Sequence, residues 1–177
     1  GKHHTINLPL SDGLTGDGLV GVFAPVVDAA VARFQPHAIV CCAGTGMLSG
    51  DRLGCMNVPL ESHTRCVQAL LAHERPLLLL GGGGYSQCNA ARAWCHMTAA
   101  ACQVEVADEL PEHDCYAYYS PTYGLGVAAA VREDCNTGAS LAAVREGALR
   151  TVEQIPAHTK PEPRKPDAPQ EPDVEMA

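Results

Sequence analysis

Apolar residues along this chain fall into two patterns that alternate: stretches with helical spacing and short runs that are apolar at every position. From Asp17, the positions Leu19, Val22, Phe23, Val26, Val27, Ala30 and Val31 recur three or four apart. This predicts a helix ending near Phe34-Gln35-Pro36, with Pro25 either tolerated inside it or marking a later start. After Pro36 the run Ala38-Ile39-Val40-Cys41-Cys42-Ala43 reads as a strand covered on both faces, and it opens into Gly44-Thr45-Gly46. The pair then repeats. Val67, Leu70 and Leu71 keep helical spacing, Glu74-Arg75-Pro76 breaks it, and Leu77-Leu78-Leu79-Leu80 runs into four glycines. A third helix is expected over Asn89 to Cys102, rich in alanine and carrying Trp94, and a last one over Ser140 to Val152.

Two segments stand apart from this alternation. His4 to Leu10 has the period of a strand with one buried face, and Ser11-Asp12-Gly13 breaks it; Pro111 to Tyr123 is polar, tyrosine-rich and expected to be a surface loop. Strands alternating with helices imply an α/β fold, a parallel sheet with helices on its faces. Ligand sites in such folds lie outside the carboxyl ends of the strands, where both glycine-rich turns fall.

Composition adds bounds to this picture. The chain has 177 residues, and prolines at 161, 163, 166, 169 and 172 alternate with charge near its end. The expectation is one domain over 1–155 and a disordered, proline-rich acidic tail over 156–177, which lacks the apolar surface to order itself. No apolar run approaches the ~20 residues of a membrane-spanning helix, so no membrane partner is expected. The sequence starts at Gly1 and runs straight into strand-like sequence without a leader, as part of a longer polypeptide would. A net charge of -8 argues against direct nucleic-acid binding, which requires clustered Lys and Arg.

Of nine cysteines, Cys41, Cys42, Cys55, Cys66, Cys88, Cys95 and Cys102 mostly fall in apolar stretches without a CxxC pair, and they read as small reduced core residues. His3, His4, His37, His63, His73, His96, His113 and His158 read as ordinary surface or packed histidines.

The chemistry is expected in the two turns. Gly81-Gly82-Gly83-Gly84 means that backbone approaches something closely, either a ligand or another strand. The phosphate-loop pattern G-x-x-x-x-G-K-[ST] is absent, and a G-x-G-x-x-G reading needs another register and an acidic partner. Tyr85, immediately after the glycines, would present a phenol that can donate to a developing oxyanion; its alternative role is to cap the following helix.

Leu78 to Tyr85 followed by Asn89-Ala90-Ala91-Arg92-Ala93-Trp94, and Ser49-Gly50-Asp51-Arg52-Leu53-Gly54-Cys55-Met56-Asn57 followed by His63 and Cys66, resemble the class I histone deacetylases. Asp108-Glu109-Leu110-Pro111, the tyrosines after it and Gly1-Lys2-His3-His4 extend the resemblance over Gly1 to Val152. It implies the C-terminal portion of a parallel-sheet, helix-sandwiched, arginase-like fold. The implied reaction is zinc-dependent hydrolysis of acetyl-lysine on histone tails or other proteins, in the nucleus and with corepressor subunits as partners.

By the same resemblance, Tyr85 matches the oxyanion-binding tyrosine, Leu53 lines the tube that admits the lysine, and Gly83 and Gly84 border the substrate. Arg52 matches an inositol-phosphate ligand whose companion arginine is Cys88 here, and the His4 carbonyl matches a structural potassium contact. The largest departure is Gly46, at the position of the family's zinc-binding aspartate. Glycine offers no side-chain ligand, and Asp51 already matches another family position five residues on. The chain alone is therefore expected to bind no zinc and to be inactive, the alternative for the whole protein being a catalytically dead scaffold in a corepressor complex.

Overall fold

The computed structural model describes residues 3–156; the stretch beyond Pro156, where the tail is expected, lies outside them. The alternation becomes helix α1 (Gly16–Phe34), strand β1 (Ile39–Cys42), helix α2 (Leu60–Leu71), strand β2 (Leu77–Leu80), helix α3 (Gln87–Cys102), a 3-10 turn (Tyr116–Tyr119) and helix α4 (Gly138–Glu153). α1 starts where the Thr15 side chain accepts from the Gly18 amide, and it stops where Gln35 turns left-handed, φ 54°, and returns its N–H to Val31. Pro25 is tolerated inside the helix. The carbonyl it leaves without a donor is that of Gly21, an exposed residue where an added Cβ would meet nothing within 4 Å, so water can take the missing partner's place. α4 opens with a capping box, Thr137 and Ser140 each accepting the other's backbone N–H.

β1 and β2 pair in parallel, Ile39 with Leu77 through Cys42 with Leu80, as expected of an α/β fold. Ile39, Cys41, Leu77 and Leu79 turn inward, and Cys41 and Leu79 pack with Ala43, Val67, Leu71 and Met97. The opposite face is open: Val40 is 65% exposed, Leu78 55% and Leu80 44%. The expectation of strands covered on both faces is therefore corrected, because α2 and α3 both pack on one side of the sheet and no described element packs on the other.

Thr5 to Leu10 is corrected in a different way. Its alternation is real, with Ile6 and Leu8 against Val26, Val152 and Ile155, but it has no ladder partner and remains an extended segment rather than a strand. The loop at Pro111 to Tyr123 lies mostly on the surface, as expected, with the 3-10 turn inside it. No helix of the described residues is long and apolar enough to cross a membrane.

All nine cysteines are free thiols, yet none is buried. Cys41 and Cys66 are half-buried and pack against core clusters, whereas Cys42, Cys95 and Cys102 are exposed, which corrects the reading of those three as core residues. Position 42 follows from the open sheet face, and positions 95 and 102 lie seven apart on the outer side of α3.

Candidate active site

The two glycine-rich turns leave the carboxyl ends of β1 and β2 side by side and lock backbone to backbone. Ala43 N–H donates to Leu80 O at 2.9 Å, and Thr45 N–H donates to Gly83 O. A Cβ on Gly82 would lie 2.8 Å from Gly44 Cα and 2.9 Å from its nitrogen, and one on Gly84 would overlap Thr45 Oγ1. Gly54 is equally constrained, since its Cβ would overlap the carbonyl oxygen of Gly46. The close neighbour that the glycines demanded is thus the other turn.

Asp51 joins these turns from the side. Its Oδ1 accepts the amides of Leu53 and Gly54, both at 2.9 Å, and its Oδ2 accepts those of Tyr85 at 2.6 Å and Ser86 at 3.2 Å. Partial burial pushes the carboxyl up, but the amides of Tyr85, Leu53, Ser86 and Gly54 together outweigh it and hold the group below its ordinary value. The carboxylate is the form all four donors favour.

Tyr85 is half exposed, and its ring bends back so that a Cβ on Gly83 would sit 3.6 Å from the phenol oxygen. It does not cap α3; that position is Ser86. The turn therefore gathers Tyr85, Gly83 and Gly84. Leu53, 72% exposed, and exposed Arg52 stand on the neighbouring loop, tied to Tyr85 through Asp51. Cys88 turns its thiol to Tyr118 O at 3.5 Å.

Gly46 lies between these loops, and an added Cβ there would meet nothing within 4 Å. Two residues earlier in the same turn, Gly44 O is 3.0 Å from Nε2 of His63, a buried residue of α2. A carbonyl can only accept, so Nε2 carries the proton, and Nδ1 is a buried acceptor without a hydrogen-bond partner. Burial, opposed by the Gly44 carbonyl, pushes the imidazole below its ordinary value of 6.5 and keeps it neutral. His4 is elsewhere. It lines a cavity of about 280 Å³ with Ala30, Phe34 and Ile155, beside the end of α1 rather than at the two turns.

These residues do not fit a zinc ion as a protein-held ligand set. Position 46 has no donor, both Asp51 oxygens are engaged by amides and His63 Nε2 by Gly44. Among the described residues no three His, Cys, Asp or Glu side chains converge in a way that could hold a metal.

Sequence reasoning read Asp51 only as a matched position and missed its role. The signal was an aspartate two and three residues before Leu53 and Gly54, the spacing of a side chain that caps its own turn. It also passed over Arg92, which is buried and reaches Gly124 O at 2.8 Å, Tyr119 O at 3.3 Å and Asn89 Oδ1 at 3.1 Å, with its guanidinium 4.9 Å from the Tyr119 ring centre. Asn89 in turn donates to Ser49 O, so the tyrosine loop is braced against the Ser49 turn.

The family model of the histone deacetylase domain matches residues 1–101. The chain belongs to the histone deacetylase family. It is 40% identical to Histone deacetylase 19 of Arabidopsis thaliana over 155 residues, 88% of this chain and 31% of that protein. It is 36% identical to Histone deacetylase 2 of Oryza sativa subsp. japonica over 192 residues, 99% of this chain and 38% of the relative. Human Histone deacetylase 1 is 35% identical over 156 residues, 88% and 32% of the respective lengths. The chain spans about a third of the length of the curated relatives it matches. The matched region of the histone deacetylase model contains both turns, Asp51 and Tyr85.

Proposed function

We propose that this deacetylase-family chain supplies the oxyanion-binding wall of an acetyl-lysine hydrolase site and does not complete that site by itself. Tyr85 is the donor in this reading, its half-exposed phenol held over Gly83 where it can reach an oxygen that gains charge. Gly83 and Gly84 present backbone without side chains to the substrate. Leu53 gives the aliphatic stem of the lysine an apolar side, and Arg52 is a cation for a phosphate at the rim. The substrates are acetyl-lysine side chains of histone tails, met in the nucleus within an assembly of corepressor subunits.

The observation that carries the second half of the proposal is at Gly46: position 46 has no ligand atom, and the nearest matched carboxylate, Asp51, already serves four amides. The chain alone thus neither holds zinc nor turns over. A potassium contact through the His4 carbonyl belongs to the proposal as well, at a place apart from the turns.

A scaffold reading competes, favoured by the same Gly46: a deacetylase fold without that zinc ligand can persist as a catalytically dead member of a corepressor complex. One experiment separates them. Residues 1–177 and the Gly46→Asp variant are assayed for bound zinc and for acetyl-lysine peptide turnover, and the native assembly is purified through the tagged chain with and without Tyr85→Phe. No zinc and no turnover by the unaltered chain, with a loss of about a hundredfold in the assembly on Tyr85→Phe, supports the hydrolase wall. Zinc-dependent turnover by residues 1–177 alone refutes the claim of incompleteness, and assembly turnover indifferent to Tyr85→Phe favours the scaffold.

A further inference from the structure

We infer that Asp51 is the positioning residue of Tyr85: its carboxylate sets where the phenol stands and makes the Leu53 loop and the Tyr85 turn move as one unit. The inference rests on the proposed role of Tyr85 and adds the group that fixes it. The need for such a group follows from where the interlock of the two turns stops. That interlock fixes the backbone as far as Gly84, whereas the Tyr85 ring beyond it is half exposed, so packing constrains its direction weakly. What holds its main chain is the 2.6 Å bond from its N–H to Asp51 Oδ2, next to the Cα that aims the ring.

The same oxygen takes the Ser86 amide at 3.2 Å, placing a negative charge at the entry to α3, whose N-cap Ser86 makes no side-chain cap of its own. The other oxygen closes a local turn over Leu53 and Gly54, and Gly54 is the residue against which Gly46 O packs. One carboxylate therefore links three things: the height of the phenol, the Leu53 wall and the loop that carries position 46. A carboxylate is required because each oxygen serves a different turn. An asparagine has one acceptor oxygen, and its NH2 would face amide donors on the other side.

The test uses residues 1–177 labelled with 3-fluorotyrosine, the Tyr85 resonance being assigned from Tyr85→Phe, with amide exchange read residue by residue. In the unaltered chain the amides of Leu53, Gly54, Tyr85 and Ser86 should be protected to a common degree. In Asp51→Asn the local turn keeps Leu53 and Gly54 protected, whereas exchange at Tyr85 and Ser86 rises about tenfold and the Tyr85 fluorine resonance alone shifts and sharpens. The amides of Ala43 and Thr45, which bond the glycine turns directly, should not change.

Unaltered Tyr85 and Ser86 exchange with an unmoved fluorine resonance in Asp51→Asn would overturn the inference. So would four unrelated exchange rates in the unaltered chain, a result that does not depend on the variant folding. A Tyr85→Phe assembly with full turnover would instead refute the catalytic role of Tyr85 and leave these exchange results standing.

Discussion

Replacing Gly84 by alanine tests whether the side-chain direction of that glycine is closed by the neighbouring turn. The added methyl would overlap Thr45 Oγ1 and lie 3.1 Å from Thr45 Cβ, and Thr45 is 2% exposed, so its hydroxyl has nowhere to swing. Overpacking of this kind costs about 1–3 kcal/mol, and the buried neighbour puts this case in the upper half, about 2–3 kcal/mol. For a chain of this size each kcal/mol moves the melting temperature by about 2–4 °C, so Gly84→Ala should melt about 4–12 °C lower. Thr45→Ala alone removes a hydroxyl whose bond to Gly83 O is 3.5 Å long, together with a methyl, and should cost about 1 kcal/mol.

Because Thr45→Ala also removes the overlapping atom, the double variant should be no less stable than Gly84→Ala, a coupling of about 1–2 kcal/mol in its favour. Gly46→Ala is the control. Its Cβ meets nothing within 4 Å and its φ is not positive, so its melting temperature should stay within about 3 °C of the parent or rise slightly. Thermal unfolding followed by circular dichroism under reducing conditions reads all four proteins. Equal melting temperatures for Gly84→Ala and Gly46→Ala, or strict additivity of the Thr45 and Gly84 changes, would refute the reasoning.

Two further outcomes are expected. His63 is held below its ordinary value by burial, so the folded chain binds fewer protons than the unfolded one below pH 6.5. Stability should be complete above that pH and fall as the pH drops beneath it, by up to ~1.4 kcal/mol per unit, a slope that His63→Gln should abolish in melting curves from pH 7.5 to 5.0. Arg92→Lys should destabilise by about 2–3 kcal/mol, since an ammonium cannot reach Gly124 O, Tyr119 O and Asn89 Oδ1 together; proteolysis within 113–124 at unchanged helicity would reveal the released loop, and an unchanged rate would count against the brace.

Much of this architecture was legible because it is written in local periodicity. α1 and α2 follow their apolar spacing, α3 and α4 their alanine-rich composition, and the two turns follow from glycines after apolar runs. The misreadings share a cause: what lies opposite a residue is a tertiary fact. IVCC and LLLL look covered on both faces, but whether a second layer exists is decided by elements elsewhere. Thr5 to Leu10 has the alternation of a strand, which sets its buried side and cannot supply a neighbour to pair with. The cysteines at 42, 95 and 102 are apolar by composition and exposed by geometry. At the site, Gly46 and Tyr85 were visible as residue types, whereas the role of Asp51 depends on amides 34 and 35 positions away.

The open face of the sheet also bears on how the strands know their alignment. A strand pair with one apolar and one polar face penalises a slip by a single residue, because every side chain would change sides. Here Ile39, Cys41, Leu77 and Leu79 could exchange places with Val40, Cys42, Leu78 and Leu80 without moving a polar group inward. The strands themselves are therefore nearly degenerate in register. What removes the degeneracy is the interlock beyond them, where Gly44 fits against Gly82 and Thr45 against Gly84 in only one alignment. The glycine turns act as an end stop for the sheet, and damage to them should appear as mixed strand alignments before it appears as lost secondary structure.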